Sequence, residues 1–181
     1  MSMTRIALAA ALSLALAACD KTDEHDQQAA AAAQAPAASA PMSVVETPVR
    51  IAGLASKTTD CNLESANGVD LEGVAPSVPR NAPVVLTGWL VDVAAGVVPA
   101  KARVRIESAD GANAWEQPIS EWGDRGDVAA AKGNVAAFQK SGFSTTLQVG
   151  ALPPGTYAIY IAYDASAGEA ACAVGRHLTL E

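Results

Sequence analysis

A period of two governs the best-patterned runs of this chain. In Lys101-Ala102-Arg103-Val104-Arg105-Ile106-Glu107 charged and apolar residues alternate without a break. That is the pattern of a strand with one face on a core and the other in water. It predicts Ala102, Val104 and Ile106 inward, with Lys101, Arg103, Arg105 and Glu107 in solvent. Thr156–Tyr163 repeats the pattern, with Tyr157, Ile159, Ile161 and Tyr163 on one face. Further strand candidates lie at 61–66, 69–72, 83–93, 114–119, 143–149 and 170–180. Asn67-Gly68 reads as a two-residue hairpin turn, and Asp110-Gly111 and Leu152-Pro153-Pro154-Gly155 close later pairs. Short strands at this spacing predict an all-β antiparallel sandwich over residues 49–181.

One stretch breaks the alternation. Asp127–Lys132 and Asn134–Lys140 each begin with a capping residue and are rich in Ala, with Gly133 between them and Gly142 beyond. They predict two short helical turns that cross from one sheet to the other, with Asp127 as a cap.

The N-terminus carries an address. Residues 1–18 hold one cation, Arg5, followed by the uncharged run Ile6–Ala18, which is shorter than the ~20 residues a spanning helix needs. The layout is that of a signal peptide. Leu16-Ala17-Ala18-Cys19 resembles the lipobox of bacterial lipoproteins. The resemblance implies cleavage before Cys19 and diacylglyceryl attachment to its thiol, which suits the side chain whose thiolate is the strongest nucleophile. An ordinary secretory cleavage after Ala17 or Ala18 would instead leave Cys19 as a free thiol. Asp20 resembles the inner-membrane retention signal of enteric lipoproteins, a rule that is weaker in other bacteria, so either membrane is open.

From Asp20 to about Pro48 large hydrophobes are nearly absent and acidic residues give way to Ala, Gln, Pro and Ser. No core can form from that composition. The expectation is a flexible spacer with a root-mean-square reach of about 30 Å, which holds the domain clear of the headgroups. Cys61 opens the first good strand and Cys172 lies in the last. In an exported chain they predict a disulfide, with two separately buried thiols as the alternative.

Several motifs recur in an order that resembles a bacterial Ig-like sandwich module: Cys61–Gly68, Gly88-Trp89-Leu90-Val91-Asp92, Arg125-Gly126-Asp127-Val128-Ala129, Ser141-Gly142-Phe143 and Pro154-Gly155-Thr156-Tyr157. In that module a Gly-Trp-x-x-Asp strand, an Arg-Pro-Asp-Val-Ala loop and a Gly-Phe strand start recur. Gly126 stands where the pattern has Pro. Such modules occur beside cell-surface polysaccharide enzymes and in envelope proteins, which implies a non-catalytic accessory role. On this reading Trp89 is a core aromatic, Asp92 holds a loop at a strand end, and Arg125 and Asp127 position the crossover.

The chemistry available for catalysis is thin. A net charge of -7 leaves no cationic surplus for phosphates, so nucleic acid is an unfavoured partner. His25 falls in the spacer and His177 has no second ligand at metal spacing, so neither a metal nor a cofactor is expected. Glu121 and Asp124 are carboxylates in one loop, better read as solvated than as an acid/base pair. Arg125-Gly126-Asp127 spells a tripeptide read by integrins, but the loop motif accounts for it. Trp115, Glu116, Gln117 and Trp122 form the candidate ligand patch, two indoles flanking amide and carboxylate groups. The competing expectation buries Trp115 in its strand and sets Trp122 on the sandwich edge. The functional expectation is a lipid-anchored binding or structural module of the bacterial envelope. A carbohydrate-binding accessory is the alternative, and the partners are then a membrane, through the lipid, and an envelope glycan or protein.

Overall fold

The computed structural model describes residues 40–44, 55–56, 60–166 and 168–181, all within one compact unit, Ala37–Glu181. The signal peptide, Cys19, His25 and most of the spacer lie outside the described residues. The described residues form twelve strands: β1 Ser43–Val44, β2 Ala55–Ser56, β3 Cys61–Ala66, β4 Val69–Asp70, β5 Ser77–Val78, β6 Val84–Leu90, β7 Ala102–Ser108, β8 Ala114–Pro118, β9 Glu121–Gly123, β10 Gly142–Leu147, β11 Gly155–Ala165 and β12 Gly168–Leu180. One short helix, α1 Gly126–Ala131, and a 3-10 turn, Ala136–Lys140, lie between β9 and β10.

The strands form two sheets. One runs β4-β3-β6-β10-β9; the other runs β1-β8-β7-β11-β12-β2, with β5 also on β12. The orders β3-β6-β10-β9 and β8-β7-β11-β12 are those of an immunoglobulin sandwich, A-B-E-D against C′-C-F-G. The fold is therefore an Ig-like β-sandwich, antiparallel throughout its long strands, with the two-residue strands β2 and β5 joining β12 in parallel. Tyr157, near the start of β11, donates its hydroxyl to the Pro153 carbonyl at 2.6 Å, the tyrosine corner of such sandwiches. Burial holds the Tyr157 phenol above its ordinary pKa.

Alternation builds the core. Leu63, Val84, Leu86, Leu90, Val104, Ile106, Leu147, Ile159, Ile161 and Leu178 are fully or almost fully buried between the sheets. Cys61 on β3 and Cys172 on β12 are joined by a disulfide that ties the two sheets together, closing a sequence separation of 111. Asn67 and Gly68 both have positive φ, 49° and 77°, the backbone that a two-residue hairpin needs to follow strand twist.

Three expectations are corrected. Arg105 and Glu107 are each 3% exposed, not in solvent. The Arg105 guanidinium meets Glu107 at 3.0 Å and Glu116 on β8 at 3.3 Å. Long side chains with opposite charges on adjacent strands lie along the sheet and satisfy one another there. The helical segment does not change sheets, because β9 and β10 are neighbours in the five-stranded sheet. The crossing is made earlier, at Ile119-Ser120, between β8 and β9. Asp127 does not cap α1: the N-cap residue is Arg125, with no side-chain capping bond, and Asp127 sits in the first turn. The helix ends as expected for a Gly stop, with Gly133 at φ 83° and the amides of Gly133 and Asn134 returning to the Ala130 and Ala129 carbonyls.

Candidate functional site

The outer face of the five-stranded sheet carries two rows of side chains set by register. Asn62, Trp89, Gly142 and Gly123 form the first row, and Ser65, Thr87, Ser144 and Glu121 the second. Trp89 is covered by the helical segment between β9 and β10, in a second apolar cluster with Val91, Val128, Ala129 and Phe138. It is thus half-buried outside the main core rather than within it. Lys132 stands 5.7 Å from the centre of its ring and pairs with Asp60 at 3.0 Å, a cation–π contact that pins the helical segment to the sheet.

Arg125 leaves the end of β9 and lies across the sheet. Two close approaches make room for it and for the strands beneath. A Cβ at Gly142 would stand 2.7 Å from Arg125 Cγ, and one at Gly88 would stand 2.2 Å from the Asn62 carbonyl oxygen and 2.9 Å from Phe143 Cζ. Only glycine fits either place. Register shifts by one residue between Leu63 and Ser65, and the extra residue, Glu64, takes up the guanidinium: Arg125 Nη1 lies 3.0 Å from the Glu64 carboxylate. The other two nitrogens make a fork with Asp127, Nε to Oδ1 and Nη2 to Oδ2, both 2.8 Å. That hydrogen bonding is the main reason the Asp127 pKa is lowered to about 2 and the Arg125 pKa is raised. With its guanidinium turned inward, the Arg-Gly-Asp tripeptide does not offer a free cation and a free anion side by side.

Between Arg125 and the hydroxyl row lies a cleft of about 350 Å³, lined by Glu64, Thr87, Glu121, Gly123, Arg125 and Ser144 among others. A second cleft of about 180 Å³ continues it, sharing Glu121 and Ser144 and reaching Gln117, Ser120 and Thr146. It opens where β9 stops at Glu121 and leaves the edge of β10 uncovered. Thr145 is tied here to the Pro118 carbonyl at 3.3 Å. Gln117 Oε1 is buried without a hydrogen-bond partner among the described residues.

The predicted patch is divided by this geometry. Trp115 is 8% exposed and packs edge-on against Tyr157 in the core, with centroids 5.7 Å apart. Trp122 belongs to the other sheet, half-buried and edge-on to Phe143 at 6.1 Å. Glu116 faces the opposite side of the molecule, held by Arg103 at 3.0 Å. Only Gln117, at the sandwich edge, and Trp122 touch the groove. Alternation along β8 separates these residues, because neighbours in a strand point to opposite faces. Asp92 accepts a hydrogen bond from the Ala95 amide at 2.9 Å and bridges to Val97, closing the loop after β6. Asp124 pairs with Lys140 at 2.8 Å. His177 is exposed on β12, and no group of three side chains able to hold a metal occurs among the described residues. Ser144, Thr87 and Thr146, which build the groove, carried no sequence signal beyond polar positions on the outward period of their strands.

No family model, no curated protein and no solved structure matches this chain.

Proposed function

We propose that this chain is a non-catalytic, lipid-anchored protein of the bacterial envelope whose sandwich acts as a binding module. The observation that carries the reading is Leu16-Ala17-Ala18-Cys19 at the end of a signal-peptide layout, followed by low-complexity sequence as far as about Pro48. Two or three acyl chains on one cysteine make attachment effectively stable, at ~0.8 kcal/mol per buried methylene. The inter-sheet disulfide supports export, because such bonds persist in oxidising compartments. The groove supports binding rather than turnover. Glu64 and Asp127 are committed to Arg125, which leaves Glu121 without a second free carboxylate for acid/base hydrolysis among the described groove residues. The working face is the outer side of the five-stranded sheet.

Labelled palmitate tests the anchor in bacteria expressing the full chain. Label should enter the protein, the protein should sediment with membranes, and Cys19→Ala should abolish both. Unlabelled wild-type protein released in soluble form would overturn the reading.

A further inference from the structure

We infer that the groove over β9 and β10 is a binding site for a neutral glycan, an inference that rests on the binding-module reading and gives it a ligand class. Its lining offers what a polyhydroxylated ligand uses. Ser144 stands beside Thr87, whose hydroxyl is already shared with Ser65 at 2.7 Å, Thr146 and Ser120 continue the hydroxyl surface, and Glu121 sits between the two clefts as a carboxylate without an ion-pair partner among the described residues. A carboxylate accepts two hydrogen bonds from adjacent hydroxyls in one plane. Gln117 lines the smaller cleft, and its Oε1 is buried without a hydrogen-bond partner among the described residues.

Charge narrows the class further. Arg125 is the one cation lining the larger cleft among the described residues, and its guanidinium charge is matched by Asp127 and Glu64. With Glu121 added, the groove is net negative and repels an anionic ligand. A phosphate, sulfate or uronate therefore does not fit. The floor of the larger cleft, β6 and β10, is paired across the sheet and offers a peptide no main-chain ladder contacts; the uncovered β10 edge at the smaller cleft does, so a peptide strand there is the competing occupant that the protein-ligand outcome below detects.

The test uses the full chain in detergent and a panel of neutral oligosaccharides, glucan, mannan, galactan and chitin fragments, with charged uronate and phosphorylated counterparts alongside. At least one neutral glycan should bind and shift the amide resonances of Glu121, Gly123 and Ser144 in the unsubstituted protein. Glu121→Gln and Ser144→Ala should each weaken binding about tenfold or more, and Glu72→Gln, on the turn after β4, should leave it unchanged. Failure of every neutral glycan, preference for a charged one, or shifts confined to another face would overturn the site. A protein ligand lost on the same two substitutions would overturn the glycan assignment and leave the binding module standing. Glycan binding by a chain that takes up no palmitate would overturn the anchor and leave the groove.

Discussion

Asp127 and Arg125 make a forked contact at the start of the helical segment, and its pH dependence has a definite sign. The carboxyl is held at about 2, against 3.8 when unperturbed. Stability from the pair is therefore present above pH ~4 and is lost as pH falls through about 2. Carbon-detected NMR titration of Asp127 should show a midpoint near 2, and Asp127→Asn should lower the urea midpoint at pH 6 more than at pH 2. An ordinary carboxylate titration would contradict the fork. Gly88 is a second position where one atom decides. A Cβ there meets backbone, the Asn62 carbonyl oxygen, so Gly88→Ala should cost about 1–3 kcal/mol or more in a denaturation experiment. Open glycines such as Gly123 should tolerate the same change, since a Cβ there meets nothing within 4 Å.

At the scale of elements, period-two runs were legible because one face of each strand meets the core, and β6, β7, β10, β11 and β12 lie close to the expected spans. The hairpin at Asn67-Gly68 was legible for the same local reason. The short strands β1, β5 and β9 were not, because two or three residues carry no period and are held by their neighbours in the sheet. The burial of Arg105 and Glu107 was hidden as well: charge predicts exposure until a cross-strand partner is known, and Glu116 comes from a different strand. The same limit divided the tryptophans, since sequence proximity of Trp115 and Trp122 conceals a change of sheet between them. With 5-fluorotryptophan incorporated, the three fluorine resonances should respond unequally to a soluble paramagnetic agent. Trp115, 8% exposed, should broaden least. Strong broadening at Trp115 would return it to the surface.

For the whole molecule, topology places the disulfide between β3 and β12, strands A and G of the sandwich, rather than between B and F as in antibody domains. It clamps the first and last long strands, so it should act mainly on the unfolded ensemble. Replacing both Cys61 and Cys172 by Ala should destabilise by about 2–5 kcal/mol, measured by denaturation of oxidised and substituted proteins, and an unchanged midpoint would contradict that role. The anchor and the groove are independent parts of the account: one is written in four residues at the N-terminus, the other in side chains that only the register of β6, β9 and β10 brings together. The central claim, a sandwich held at a membrane by lipid on Cys19, is tested most directly by mass spectrometry of the mature N-terminal peptide from bacterial membranes. The expected peptide begins at Cys19 and carries diacylglycerol in thioether linkage. A peptide beginning at Met1, or a cleaved one with an unmodified Cys19, would contradict it.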